Sequence, residues 1–191
     1  MVGNIPNYSK IDALRCFLRF NRKIGRQDLA KELRLGEGTV RTILELLKSK
    51  KLLHSTKKGH FLSKTGGELL NQFNVAISIP MELDLGNPYP EFKKIGILVK
   101  NVQNLKGIYK LRDIAVKNGA DGAIILKFEN KLYAPESNFD QDYRKLEKLF
   151  DFSNDDVLIV GFSNDLRKAE NGALAIAAEL SNILKKFINE I

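Results

Sequence analysis

The sequence predicts a two-domain α+β / α/β chain, with a helical amino-terminal domain that carries a β-hairpin before its last helix and a carboxy-terminal α/β sandwich with a mixed sheet. Three observations carry this. Apolar residues recur at spacings of three and four through the first 50 residues, short aliphatic runs alternate with helical ones from Lys94 onward, and the charge is divided unevenly between the two regions. The 191 residues leave room for one large domain or two small ones, given a typical domain of about 150 residues. Hydrophobic residues at 43% and charged residues at 28% are enough to build and solvate a core, which excludes a disordered or fibrous chain.

The first helix is predicted over SKIDALRCFLRF, with Ser9 as cap and Ile11, Leu14, Phe17 and Leu18 on one face. Cys16 falls among them as a small core residue. Arg26 to Leu33 gives a second, shorter helix through Leu29, Ala30 and Leu33, without a Ser or Thr cap. RLGEGT interrupts the pattern at Gly36 and Gly38, and a third helix follows through Val40, Ile43, Leu44 and Leu47 to Lys50. Two helices around a short Gly-containing turn form a helix-turn-helix arrangement. LLHSTKKGHFLS then holds two short apolar runs around a polar tip, Ser55 to Gly59, which reads as a hairpin carrying Lys57 and Lys58. Ser63 is placed to cap a final helix over TGGELLNQF, although Gly66 and Gly67 weaken its start. Helix, helix, helix, hairpin, helix is winged-helix order.

Charge gives this region a function class. Residues 1–74 hold 15 Lys and Arg against 6 Asp and Glu, whereas residues 75–191 hold 16 against 17, so the whole-chain excess of +8 lies in the first part. A concentrated positive field attracts polyanions, because neutralising phosphates releases condensed counterions. If Val40, Ile43, Leu44 and Leu47 face the core, Thr39, Arg41, Thr42, Glu45 and Lys48 face solvent. The second helix of a helix-turn-helix enters the major groove of double-stranded DNA. There Arg41 offers a bidentate fork to guanine, Thr39 and Thr42 reach phosphate or a thymine methyl, and Lys48 reaches phosphate. Lys57 and Lys58 would lie along the backbone or minor groove. Glu45 is repelled by phosphate unless it accepts from a cytosine amino group, and His60 reads as a solvated strand end.

Residues 9–65, on the strength of DLAKELRLGEGTVRTILELLKSKKLL and TKKGHFLSKTG, resemble the winged helix-turn-helix domains of prokaryotic transcriptional regulators. The resemblance implies a DNA-binding regulator.

Pro80, Pro88 and Pro90, with Gly86 and Asn87, mark a connector, which sets the expected boundaries at 1–74, 75–92 and 93–191. Beyond it, IGILVKNV is a strand buried on both faces, and LKGIYKLRDIAVKNG is a helix ended by Gly119. GAIILKF and KLYAP form a hairpin across Glu129 and Asn130, Asp140 to Phe150 is a helix candidate, and DVLIVGF is a second buried strand. A long amphipathic helix closes the chain, from Leu166 or Ala169 to Phe187, with Leu174, Ala177, Leu180, Leu184 and Phe187 along one stripe. That stripe is either internal core or the interface of a homodimer.

YPEFKKIGILVKNV, LRDIAVKNGADGAIILKFENKLYAP and DDVLIVGFSND resemble the second domain of an archaeal family of winged-helix proteins of uncharacterised function. The family implies architecture and a regulator-like assignment without catalytic residues to carry over.

The second domain has no His and no Cys, which removes the commonest general base and the thiol nucleophile. No catalytic residue and no cofactor are assigned. Asp155 and Asp156 read as the start of a turn. GFSNDLRKAENGA offers amide groups between a strand and a helix that could receive an anion, but it lacks GxGxxG and Walker spacing. A small-molecule effector site is expected at Gly161 and Ser163 of this turn, and the resemblance, which is strongest around Arg112, Asp121 and Gly122, adds those three residues to it. Cys16, His54 and His60 are too few for a four-ligand zinc site, so no metal is assigned. The single cysteine suits a reducing cytoplasm, and no run approaches the roughly 18 apolar residues of a membrane span.

Two other classes stand beside the regulator. One is an enzyme with a winged-helix appendage, because LGNPYPEF is similar to the glycine and proline segment of archaeal riboflavin kinases, though no Thr-Leu-Asn follows Pro90. The other is a protein-docking module.

Overall fold

Ser9 opens the first helix as the sequence predicts. Its hydroxyl accepts from the Asp12 amide at 3.1 Å while the Asp12 carboxylate accepts from the Ser9 amide at 2.9 Å, a reciprocal cap that starts α1 (Lys10–Phe17). In this computed structural model, residues 8–85, 89–135, 137 and 142–191 are described. The chain divides into two compact units, Met1–Phe73 with Lys186–Ile191, and Asn74–Lys185.

In the first unit, α2 (Arg26–Leu33) begins at Gly25 without a side-chain cap, and α3 (Glu37–Ser49) begins at Gly36. Val40, Ile43, Leu44 and Leu47 are all buried, so the helical spacing identified the inward face of α3. Strands β1 (Leu53–Thr56) and β2 (Gly59–Leu62) pair antiparallel with Thr56 opposite Gly59, which makes Lys57 and Lys58 the two-residue tip. His60 exchanges both backbone hydrogen bonds with Ile24, tying the hairpin to the segment before α2. The last helix, α4 (Lys64–Ala76), is capped by Ser63, whose hydroxyl accepts from the Gly66 amide at 3.0 Å and donates to the Lys51 carbonyl at 2.7 Å. Gly66, which weakened the expected helix start, is required there: a Cβ at this position would overlap the Leu52 carbonyl oxygen. The unit closes on three rings, Phe17, Phe73 and Phe187, with centroids 5.4 to 5.6 Å apart.

The second unit contains β3 (Met81–Glu82), β4 (Lys93–Val99), α5 (Ile108–Lys117), β5 (Gly122–Glu129), β6 (Lys131–Tyr133), α6 (Arg144–Glu147), β7 (Val157–Ser163), α7 (Leu166–Leu180) and α8 (Asn182–Glu190), whose last residues return to the first unit. Its sheet has the order β3-β4-β7-β5-β6, and every neighbouring pair is antiparallel. The expected mixed sheet is therefore corrected. The β4–α5–β5 crossover does return β5 parallel to β4, but β7 inserts between them and runs against both. β4 and β7 are near-continuously buried because both faces of the sheet are covered. α7 packs across β4 and β7, and α5 lies against β5 and α7. The opposite face is filled by Leu83, Leu98, Leu126, Leu132, Leu146, Leu158 and Val160, with Phe150 and Phe152 packed on them.

Two helices also differ from expectation. The candidate over 140–150 is reduced to the single turn of α6, since Phe150 and Phe152 leave the helical path to cover the sheet; Asp140 and Gln141 lie outside the described residues. The long terminal helix breaks at Ser181, whose backbone is extended at φ −110° and ψ 115°. Leu174, Ala177, Leu184 and Phe187 are buried within the chain and Leu180 is half-buried, so most of this stripe is internal core.

The expected connector is also structured where it is described. Met81–Glu82 joins the sheet, and Lys94, itself buried, donates to the carbonyls of Leu85, Tyr89 and Phe92 at 2.7 to 3.2 Å. Gly86, Asn87 and Pro88 lie outside the described residues. No described helix is long and apolar enough to cross a membrane.

Candidate nucleic-acid interface

Because the inward stripe of α3 is sealed in the core, its remaining face is set by the 3.6-residue period. Arg41, Thr42 and Glu45 are exposed, while Thr39 and Lys48 are half-buried. Arg41 has no ion pair or side-chain hydrogen bond among the described residues, so its five donors are free for an external acceptor. Thr42 donates its hydroxyl to the Gly38 carbonyl at 3.1 Å, which leaves its methyl group and one lone pair outward. Lys48 differs from the free cation expected of it: its ammonium sits 2.6 Å from the Glu45 carboxylate, one turn earlier. The pair neutralises Glu45, and a phosphate would have to compete with that carboxylate for Lys48.

Lys57 and Lys58 are exposed at the hairpin tip and make no ion pair among the described residues. Two further acids of the region are also matched to bases, Glu32 to Arg22 at 2.5 Å and Glu37 to Arg26 at 3.2 Å. Asp12 is matched to Arg15 in a buried pair at 3.3 Å, and the same guanidinium donates to the Leu33 carbonyl. His60 is half-buried, accepts or donates through Nδ1 to the Ser55 hydroxyl at 2.7 Å, and has its proton affinity lowered by burial and then by Lys48. Both influences disfavour the charged ring. Lys23, not singled out from sequence, places its ammonium 5.5 Å from the Phe61 ring centroid on the hairpin.

In the second unit the candidate effector residues separate into two groups. Asp121, Gly122, Gly161 and Ser163 meet where β5 starts and β7 ends. The buried Ser163 hydroxyl donates to the Asp121 carboxylate at 2.6 Å. The amide of Asn164 also points to that carboxylate, at 3.4 Å, and the amide of Asp165 donates to the Ser163 hydroxyl at 3.3 Å. Asp165, missed from sequence although an Asp just ahead of a helical run signals a cap, accepts from the amides of Arg167 and Lys168. The amides expected to receive an anion are thus taken by the chain's own carboxylates and hydroxyl, and two carboxylates repel an anion there. Gly122 and Gly161 are explained by packing, since a Cβ would overlap the Phe162 ring at the first and the Ala169 carbonyl oxygen at the second. Arg112 is exposed on α5, away from hydrogen bonds with this cluster. Asp156 is buried and accepts from Lys100, Asn101 and Ser153, each at 2.9 Å, which fixes the turn before β7. No group of three or more His, Cys, Asp or Glu among the described residues could hold a metal ion.

The fold and surface define a class: a basic helical unit bearing a hairpin, followed by an antiparallel sheet flanked by helices. Residues 11–68 match a family model described as the PH0730-like, N-terminal domain, and residues 91–180 match one described as a domain of unknown function (DUF4443). Among solved structures, the chain is similar to the hypothetical protein PH0730 from Pyrococcus horikoshii OT3. The two are 28% identical, with a TM-score of 0.77 over 95% of this chain and 100% of that one. No curated protein matches.

Proposed function

We propose that this chain is a DNA-binding transcriptional regulator whose first unit is a winged helix-turn-helix, with α3 as recognition helix and the β1–β2 hairpin as wing. The observation that carries the reading is the set of cations left without partners. Four acids of the first unit, Asp12, Glu32, Glu37 and Glu45, pair with Arg15, Arg22, Arg26 and Lys48, whereas Arg41 on α3 and Lys57 and Lys58 on the hairpin, like Lys31, Arg34, Lys50, Lys51 and Lys64, are exposed and make no ion pair among the described residues. Arg41 reads a guanine edge, Thr39 contacts phosphate or a thymine methyl, Thr42, whose hydroxyl proton goes to Gly38, offers its methyl group to a thymine methyl, and the two wing lysines grip the backbone. Lys48 has a smaller part than its charge suggests, because Glu45 holds it. The second unit serves as the effector or dimerisation domain of a cytoplasmic protein, with no catalytic role.

Duplex binding measured across a salt series tests this. A log-log slope of several units is expected, shrinking by about one when Lys57 or Lys58 is replaced by alanine and by less for Lys48→Ala. Arg41→Ala is expected to reduce sequence preference more than affinity for random duplex. Absent or salt-independent binding would reject the reading in favour of a protein-docking module.

A further inference from the structure

His60 stands where α3 and the hairpin meet. It pairs with Ser55 across the hairpin, and the side chains of such a pair share one face, so His54 and Phe61, one pair along, lie on the other. The Ser55 hydroxyl holds the ring at Nδ1, 2.7 Å away, and backbone bonds in both directions with Ile24 tie the residue to the segment before α2. The charged groups that act on the ring come from two further elements, Lys48 and Glu45 of α3 and Arg26 of α2. Each of these cations already has a carboxylate, Glu45 at 2.6 Å from Lys48 and Glu37 at 3.2 Å from Arg26. Lys23 belongs to the opposite face, over the Phe61 ring. The half-buried imidazole makes no hydrogen bond through Nε2 among the described residues.

We propose that His60, with Arg26 and Lys48, forms a phosphate site at the joint between α3 and the wing, and that this site takes up one proton from solvent when the duplex binds. The inference rests on the DNA-binding reading and adds a contact and a regulator to it. A duplex touched by Arg41 on α3 and by Lys57 and Lys58 at the hairpin tip carries its backbone past the joint between them. With a neutral ring the joint is balanced, two bases against two acids. A protonated ring makes it positive. In the free chain burial and Lys48 oppose that charge, whereas a phosphate within about 4–6 Å favours it. The hydrogen bond to Ser55 survives the change, because a hydroxyl can donate to Nδ1 of the neutral ring and accept from Nδ1–H of the charged one. The ring therefore keeps its orientation, and Nε2–H is the donor left for the phosphate.

Duplex affinity measured at fixed ionic strength from about pH 8 to about pH 5.5 tests this. Binding to the wild-type chain is expected to tighten by about tenfold as the pH falls through about 6.5, which is what a one-unit rise in the proton affinity of one group on binding produces. His60→Gln should bind at every pH much as the wild type does at pH 8, and His54→Gln, altered on the opposite face, should keep the full dependence. Titrating the two imidazole rings of the unaltered chain by NMR gives a second readout. Duplex should raise the midpoint of His60 by about one pH unit, and inorganic phosphate at the same ionic strength should leave it in place. Duplex binding that is the same at every pH, a His60→Gln chain that keeps the dependence, or a His60 midpoint unmoved by duplex would each overturn the inference while the DNA-binding reading stands. An equal rise with inorganic phosphate would overturn the assignment to the duplex backbone. Absence of duplex binding at every pH would reject the reading and the inference together.

Discussion

Phe187 lies 18 residues beyond Ala169, where the buried run of α7 starts, yet its ring completes the core of the first unit, and replacing it with alanine tests that placement. The ring is 4% exposed and sits 5.4 Å from both Phe17 and Phe73. Truncating a buried Phe costs about 3–5 kcal/mol through lost transfer energy and the cavity left behind. Two aromatic pairs at about 0.5–1.5 kcal/mol each make up part of that sum. Against a total stability of about 5–15 kcal/mol, the loss is a third or more for a marginal domain. Hydrogen exchange read on peptides from α1 and α4 is the suitable assay, because it reports stability unit by unit. Protection there is expected to fall by a factor of about 100 or more, since about 1.4 kcal/mol corresponds to tenfold. Peptides from β4 and β7 should change little. A loss below about 1 kcal/mol in α1 and α4, or a loss confined to the sheet, would refute the reasoning. The same packing predicts that a fragment ending at residue 74 is less stable than this unit in the whole chain, because it lacks the third ring.

Two further outcomes follow from burial and close packing. Burial pushes the Cys16 thiol up to about 12, against a smaller opposing pull from Arg19 and Arg15. Burial therefore holds the native thiol in its protonated form at pH 8, so a thiolate-selective reagent should label the native chain far more slowly than the urea-unfolded chain. Labelling at equal rates would show that the helix around Cys16 opens freely. For Gly161→Ala, the added methyl overlaps the Ala169 carbonyl oxygen and stands 3.0 Å from the Ala173 amide nitrogen, so α7 must lift from β7. A cost of about 1–3 kcal/mol is expected in urea denaturation, and an unchanged midpoint would mean that α7 has room to shift.

What the sequence determined by itself was local. The period of Val40, Ile43, Leu44 and Leu47 identified both faces of α3, because a helix that buries one stripe has no choice about the other. Ser9 and Ser63 announced helix starts, and a polar tip between two short apolar runs announced the hairpin. The Glu45–Lys48 pair, three residues apart on an exposed helical face, was not read from the sequence, which left Lys48 free for phosphate. Tertiary structure alone decided the rest. Hydrogen bonds between strands distant in the chain placed β7 between β4 and β5 and made the whole sheet antiparallel, which no single segment records. The break at Ser181 sent Phe187 away from the α7 stripe, although apolar spacing runs through it unchanged. The turn after β7 closed on Asp121, 42 residues earlier in the chain, and its amides became partners of the protein's own carboxylates. Periodicity reports which side of an element avoids water. It carries no information on which distant group will occupy that side.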